Sequence, residues 1–162
     1  MTPAPAVTAD ASAFRAELPQ GGALLGLDLG TATIGTAFCD AGWRIASPGK
    51  TIARGKFGKD KATLEMLVHE RRIAGLVIGL PFNMDGSEGP RAQSARAYAR
   101  NLAVLGLPVL LWDERWSTAS AERDLIGQDM SRAKRAERID SAAAAVILQA
   151  AIDALTGNQI SE

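Results

Sequence analysis

A short apolar segment that contains one carboxylate, residues 23–40 (ALLGLDLGTATIGTAFCD), constrains the fold more than any other part of the chain. The pattern predicts two strands joined by a tight glycine turn, with Asp28 inside the first strand. A charged side chain in so apolar a strand costs free energy unless it is paired or binds a metal. Asp28 is therefore either a functional carboxylate at a ligand-accessible strand end or a residue that caps a turn. The apolar surroundings favour the functional alternative.

Composition restricts which chemistry the chain can carry out. Its 162 residues suffice for one domain with a substantial core, and 18 basic residues balance 18 acidic ones. The single cysteine and the single histidine exclude an internal disulfide, multi-cysteine zinc sites and His-rich metal sites. A catalytic metal would therefore need oxygen ligands, which favours Mg²⁺ or Mn²⁺. The sequence contains neither an apolar run of about 20 residues nor a secretory signal pattern, so we expect a soluble, cytoplasmic protein with no membrane partner.

The hydrophobic pattern predicts an α/β domain over residues 23–156, between a flexible leader (1–22) and a flexible tail (157–162). Two strands are predicted within 23–40, and further strands over 43–53 (interrupted at 47–49), 75–80 and 107–112; the predicted helices cover 61–72, 91–105, 119–126 and 139–155. The first three strands have short connections and are expected to be antiparallel, whereas strands separated by helices should be parallel. The prediction is a five-stranded mixed sheet with helices on both faces.

Two clusters of basic residues are candidates for binding phosphate. The first comprises Lys50, Arg54, Lys56, Lys59 and Lys61; the second comprises Arg132, Lys134, Arg135 and Arg138, partly within a predicted flexible loop over 127–137. Each cluster is either a solvated loop or a surface for a nucleic-acid backbone.

Three carboxylates from distant parts of the chain are predicted to meet at one edge of the sheet. Asp28 lies at the carboxyl end of the first strand, Glu114 follows the last strand, and Asp140 begins the closing helix. Ligands of open α/β sheets bind beyond the carboxyl ends of parallel strands. Like charges this close repel unless a proton or a divalent cation intervenes. Two Mg²⁺ ions about 4 Å apart, held by these carboxylates, would suit phosphodiester hydrolysis.

Four blocks of sequence carry a family resemblance: GLDLGTATIGTAFCD, GLPFNMDGSEGPRAQSARAYARNL, DERWST and IDSAAAAVILQ. They resemble, in the same order, the signature blocks of the YqgF/RuvX family of pre-16S rRNA nucleases. The resemblance extends from about residue 24 to residue 153. It implies an RNase H-like fold related to the RuvC-type Holliday-junction resolvases. It also implies that Asp28, Glu114 and Asp140 form the acidic catalytic and metal-binding triad, with Asp113 as the second choice beside Glu114.

Other positions within these blocks have two interpretations each. Asn83 either positions a phosphate or a water or stabilises a turn, and Arg115 either clamps phosphate or pairs with Asp113. The predicted substrate-binding residues are Asn83, Arg115, Arg132, Lys134 and Arg135. Trp112 and Trp116 flank the acidic pair; one of them could stack on a nucleobase, but Trp112, on a buried strand, is expected in the core.

The sequence departs from the family pattern at two places. Ala32 and Thr33 stand where the family usually has basic residues, which weakens a phosphate-binding role for that turn. The strand that ends at Leu80 is followed by Pro81, with no acid where RuvC-type relatives have one, so that Glu114 on the next strand would have to replace it.

The resemblance implies a Mg²⁺- or Mn²⁺-dependent endonuclease that processes the 5′ end of the 16S rRNA precursor. One alternative is a Holliday-junction resolvase acting on branched DNA, for which a homodimer would supply the two sites that symmetric cleavage needs. Another is a ribosome- or nucleic-acid-binding factor with a vestigial site. The GLDLGT segment also resembles the phosphate loop of actin-like ATPases, but this chain offers no second phosphate loop.

Overall fold

The protein forms a three-layered α/β fold. The computed structural model describes residues 7–116 and 132–157, and it describes side chains in 7–116 and 141–157. The strands are β1 (Val7–Thr8), β2 (Ala23–Leu29), β3 (Thr33–Cys39), β4 (Ser47–Ala53), β5 (Ile73–Leu80) and β6 (Val109–Asp113). The α-helices are α1 (Ala11–Glu17), α2 (Phe57–Arg71), α3 (Pro90–Leu102) and α4 (Arg132–Thr156), and 3-10 turns cover Ala103–Leu105 and Glu114–Trp116.

The strands form one mixed sheet in the order β1-β6-β5-β2-β3-β4. As predicted, β2, β3 and β4 are antiparallel neighbours, and β5 and β6 run parallel to β2. The predicted count of five strands is one too low. The sixth strand, β1, has only two residues and pairs with β6 through Val7 and Val109.

The central strand β2 has apolar side chains on both faces because helices cover both faces of the sheet. Leu25, Leu27 and Leu29 pack in the core that includes α2 and α3, whereas Leu24 packs in the core that includes α1 and α4. Burial of each leucine contributes about 1.5–3 kcal/mol relative to exposure. Side chains alternate along a strand, so Gly26 and Asp28 share the α1/α4 face with Leu24.

Residues 7–22 differ from the predicted flexible leader. Asp10 caps α1 by accepting a hydrogen bond from the backbone N–H of Ser12 at 2.9 Å. Phe14 on this helix has no exposed surface and packs with Leu24 in the α1/α4 core. The sequence predicts at most one helical turn here, around residues 14–18, whereas α1 has seven residues and a buried aromatic anchor. Residues 1–6 and 158–162 and the predicted helix 119–126 lie outside the described residues.

Helix α4 begins at Arg132, seven residues before the predicted start. The predicted flexible loop over 127–137 is therefore helical from residue 132. Its alternation of alanine with arginine, lysine and glutamate is typical of a charged loop but is also a good helix-forming composition. Asp140 consequently lies eight residues, or about 12 Å, from the helix start and not in the first turn. Of the helices that the structure describes, none is long and apolar enough to cross a membrane.

Candidate functional site

Asp28 lies at the carboxyl end of β2 under helix α4, and only 2% of its surface is exposed. Gly26 on the same face allows the helix to approach closely. A Cβ atom at Gly26 would lie 2.9 Å from Cβ of Leu148 and 3.3 Å from the carbonyl oxygen of Ala144. The absence of a side chain at Gly26 therefore lets α4 cross the sheet directly beside Asp28.

Glu114 lies on the same face of the sheet as Asp28. A Cβ atom at Gly79 of β5 would lie 3.1 Å from Oε2 of Glu114 and 2.7 Å from Cδ1 of Ile147 on α4. Leu27 pairs with Ile78, so Asp28 and Gly79 are the next residues on two neighbouring strands, which are about 4.8 Å apart. The structure thus brings Asp28 and Glu114 to neighbouring positions beneath α4.

Asp113 lies on the opposite, α2/α3 face and is paired with Arg115. Nε of Arg115 lies 3.1 Å from each carboxylate oxygen of Asp113, and Nη2 lies 2.7 Å from Oδ2. The backbone N–H of Arg115 donates to the same carboxylate at 2.9 Å. The hydrogen bonds from its guanidinium to Asp113 raise the pKa of Arg115 further above its ordinary value. Of the two adjacent acids, Glu114 is thus the one on the face of Asp28.

The guanidinium of Arg115 also contacts the loop that follows β5. It lies 4.8 Å from the ring centroid of Phe82, and a Cβ atom at Gly86 would be 3.3 Å from Nη1. Of the two predicted roles of Arg115, pairing with Asp113 is the one that this structure contains. That pair fixes the guanidinium at the carboxyl edge of the sheet, where Nη1 faces the loop.

The loop between β5 and α3 is closed by hydrogen bonds among its own side chains. Asn83 Nδ2 donates to Oγ of Ser87 at 3.0 Å, and Asp85 Oδ1 accepts from the backbone N–H and the hydroxyl of Ser87. These bonds, and secondarily the charge of Arg115, lower the pKa of Asp85. In this structure Asn83 therefore stabilises the turn, which is one of its two predicted roles.

Two tryptophans lie beside Glu114. Trp112 is buried in the core with α4, as predicted. Trp116 is 61% exposed and its ring packs edge-on against that of Trp112, with 5.4 Å between centroids. Trp116 is thus an exposed aromatic surface held at the edge of the candidate site.

Asp140 lies in α4, but its side chain is outside the part of the chain whose side chains are described. Its position in the helix is four residues before Ala144 and eight before Leu148, so the three positions share one helical face. Ala144 and Leu148 lie against Gly26. Asp140 therefore occupies the helical face that crosses the sheet.

Ser141 shows at which level α4 crosses the sheet. Its hydroxyl donates to the carbonyl oxygen of Gly49 at 2.9 Å and lies 2.8 Å from Oγ1 of Thr51. Thr51 pairs with Gly35, and Gly35 pairs with Asp28. The helix at residue 141 thus lies at the same level of the sheet as Asp28.

The predicted basic residues Arg132, Lys134 and Arg135 lie in the first turn and a half of α4, and their side chains are outside the described set. Among the side chains that are described, no group of three His, Cys, Asp or Glu residues is arranged to hold a metal ion. Of the three predicted carboxylates, only Asp28 and Glu114 are among the described side chains.

Sequence reasoning missed a basic feature of the β2–β3 turn. Ala32 and Thr33 supply no charge, but Arg54, just after β4, donates from Nη1 to the carbonyl oxygen of Gly30 at 2.7 Å. Arg91 at the start of α3 reaches the carbonyl oxygen of Leu29 at 3.4 Å. Arg54 belongs to the first basic cluster of the sequence, but only its placement in the fold associates it with Arg91.

Comparisons with known proteins agree with the resemblance. The sequence profile of the RuvX family, described as Holliday junction resolvase, matches residues 22–154. A Sphingopyxis alaskensis protein named "Putative pre-16S rRNA nuclease" is 66% identical over 150 residues, covering 93% of this chain and 99% of that protein. A Novosphingobium aromaticivorans protein of the same name is 63% identical over 152 residues, covering 94% of this chain and 98% of that protein.

The solved structure of T. thermophilus RuvC in complex with a Holliday junction substrate is similar in fold. The TM-score is 0.54 at 15% sequence identity, and the match covers 84% of this chain and 96% of that chain. At this identity the likeness concerns the fold alone. It confirms the predicted RNase H-like fold.

Proposed function

This chain belongs to the RuvX family, and we propose that it is a metal-dependent nuclease that hydrolyses phosphodiester bonds in structured nucleic acid. The proposed substrate is the precursor of 16S rRNA, cleaved near its 5′ end. The names and the high identity of the relatives from Sphingopyxis and Novosphingobium support this choice. Such a substrate would place the protein in the cytoplasm.

The observation that carries the proposal is the position of Asp28 and Glu114. Asp28 lies on β2 and Glu114 directly follows β6, which is not a neighbour of β2 in the sheet, and the two residues lie on one face on either side of Gly79. Burial of a carboxylate in an apolar layer is costly, and catalytic sites are where such costs are retained. Two converging carboxylates suit chemistry that requires a bound cation.

The donor set fits Mg²⁺ or Mn²⁺. Magnesium is usually held by one or two carboxylates, with waters and substrate phosphates completing its octahedron. Asp28 and Glu114 are such carboxylates, and we assign Asp140 as the third, on the helical face that crosses the sheet beside them. When bound, the ion supplies Lewis-acid stabilisation of the charge that develops on the phosphoryl oxygens.

The remaining residues bind and position the nucleic acid. The guanidinium of Arg115, fixed by Asp113 at the rim, offers Nη1 to a phosphate oxygen. Asn83 bonds to Ser87 within the adjacent loop, and from there it would position a phosphate or a water. The amino-terminal part of α4, with Arg132, Lys134 and Arg135, would follow the nucleic-acid backbone.

A nuclease assay with Mg²⁺ or Mn²⁺ tests the proposal. Asp28→Asn, Glu114→Gln and Asp140→Asn should each lower the cleavage rate of precursor 16S rRNA at least about 100-fold, because even the loss of an outer-shell partner costs 10–100-fold. Glu65→Gln serves as the control, since Glu65 is an exposed acid paired with Lys61 on α2. Full activity of the three variants would reject the assignment.

The same assay separates the alternatives. Cleavage of a four-way DNA junction in preference to precursor RNA would identify a resolvase, and sedimentation should then show a homodimer that provides two sites. Binding of RNA by wild type without cleavage under any divalent ion would instead identify a binding factor. The proposal requires cleavage of the RNA.

A further inference from the structure

A small basic cavity lies at the β2–β3 turn, on the α2/α3 side of the sheet, whereas Asp28 faces α4. Its volume is about 160 Å³, and its polar lining consists of Thr31, Arg54, Arg91 and Ser94. Pockets for drug-sized ligands measure about 300–1,000 Å³. The cavity is therefore suited to a single small group.

Neighbouring groups hold the guanidinium of Arg54 in place, and Arg91 reaches one backbone carbonyl beside it. Arg54 donates from Nη1 to Gly30 at 2.7 Å and from Nη2 to Oγ of Ser94 at 3.3 Å, and it stacks 5.0 Å above the ring centroid of Tyr98. Arg91 donates to the carbonyl oxygen of Leu29 at 3.4 Å. A guanidinium fixed as that of Arg54 is loses little conformational freedom when it binds an anion.

Neither arginine of the cavity forms an ion pair with a described carboxylate, although buried Asp60 accepts the hydrogen bond of the hydroxyl of Tyr98, the residue whose ring Arg54 covers. In residues 7–116 and 141–157, the ion pairs involve other arginines and lysines, and no acidic residue lines the cavity. The cavity also adjoins the start of α3 at Pro90, whose first turn contains no acidic residue. The helix dipole adds partial positive charge there.

We propose that Arg54, Arg91 and Ser94 form a binding site for a phosphate of the nucleic-acid backbone, close to the phosphate that is cleaved. The inference rests on the proposed function, since it names a second contact of the same substrate. Gly30 is two residues beyond Asp28, which is at most about 7 Å along an extended chain. A nucleic-acid strand that crosses this edge of the sheet would contact both faces. The two arginines would then fix its position relative to the carboxylates.

The salt dependence of RNA binding tests this site without requiring cleavage. A labelled single-stranded RNA is titrated with protein in EDTA, and fluorescence anisotropy is followed over a range of salt concentrations. The Arg54→Gln/Arg91→Gln variant should bind more weakly, and its slope of log affinity against log salt should be smaller by about 0.7 for each phosphate that the variant no longer binds. Arg100→Gln is the matched control, because it removes an exposed charge from the same helix about 13.5 Å away.

A neutral methylphosphonate moved along the RNA should weaken wild-type binding most at one linkage, and this sensitivity should be absent in the double variant. Slopes that are equal in the double variant and in Arg100→Gln would overturn the phosphate site and leave the nuclease proposal intact. A wild-type protein that binds no RNA would contradict the proposed function itself. Should the Arg54 substitution prevent folding, Arg91→Gln alone retains the test, since Arg91 is exposed and makes one 3.4 Å contact.

Discussion

The position of Glu114 over Gly79 makes Gly79→Ala an informative substitution. The added Cβ atom would lie 2.7 Å from Cδ1 of Ile147 and 3.1 Å from Oε2 of Glu114. Ordinary contacts between carbon atoms are about 3.5–4.0 Å, so Ile147 must move by about 0.8 Å and Glu114 by several tenths of an ångström. The substitution therefore displaces a candidate metal ligand without changing its chemistry.

The expected costs differ for stability and for activity. Overpacking lowers the free energy of unfolding by about 1–3 kcal/mol, whereas replacing a glycine within a strand by alanine raises it by about 0.5–1 kcal/mol. The net loss of up to about 2.5 kcal/mol corresponds to a melting temperature lower by up to roughly 10 °C. A displacement of 1 Å at a reacting centre costs about 100-fold in rate, so several tenths of an ångström should cost roughly 10-fold.

Gly75→Ala is the matched control on the same strand and face. Its Cβ atom would lie 2.9 Å from both Leu18 Cδ1 and Phe14 Cζ, far from any carboxylate of the site. Thermal melting with and without Mn²⁺, together with the nuclease rate, should show a similar loss of stability in both variants. Only Gly79→Ala should also lose rate and part of the Mn²⁺-induced rise in melting temperature. Full activity and an unchanged Mn²⁺ effect in Gly79→Ala would refute the reasoning.

Three further predictions concern the core. Phe14→Ala should destabilise the protein by about 3–5 kcal/mol in urea unfolding, and a negligible loss would return residues 7–22 to the status of a leader. Tyr98→Phe removes a 3.1 Å hydrogen bond to buried Asp60 and should cost about 1.5–3 kcal/mol. Burial, and then Asp60, raise the pKa of Tyr98, so this stabilisation is complete below about pH 10 and is lost gradually as the pH rises from there through the raised pKa of the folded state. The unfolding curves of wild type and variant should converge over that range. Burial also raises the pKa of Cys39 to about 11, so the native thiol should react with DTNB far more slowly than the urea-unfolded chain, and equal rates would contradict its burial.

Most of the sheet could be predicted because β2, β3, β5 and β6 are buried on both faces. Residues 73–80 form a continuous apolar run, and the glycine turn after Leu29 separates β2 from β3. The edge strand β1 has no such run of apolar residues. The two residues of β1 gain their conformation from pairing with β6, which depends on residues a hundred positions away in the chain. Local pattern therefore recovers strands β2 to β6 and misses the two-residue edge strand β1.

The candidate site was predictable in type more than in detail. The burial of a single carboxylate, Asp28, within an apolar strand is visible in the sequence. The choice between Asp113 and Glu114 depends on which face of the sheet each side chain takes, and so on where β6 ends. The association of Arg54 with Arg91 depends on the packing of α3 against the β2–β3 turn, and no local spacing indicates it.

The proposed mechanism depends most on the convergence of Asp28, Glu114 and Asp140 around a cation. Anomalous diffraction from crystals of the protein grown with Mn²⁺ measures this directly. We predict a manganese peak beneath α4 with oxygen ligands from all three carboxylates, and loss of the peak in Asp28→Asn. A manganese ion bound elsewhere, or a site from which any one of the three carboxylates is absent, would contradict the proposed triad.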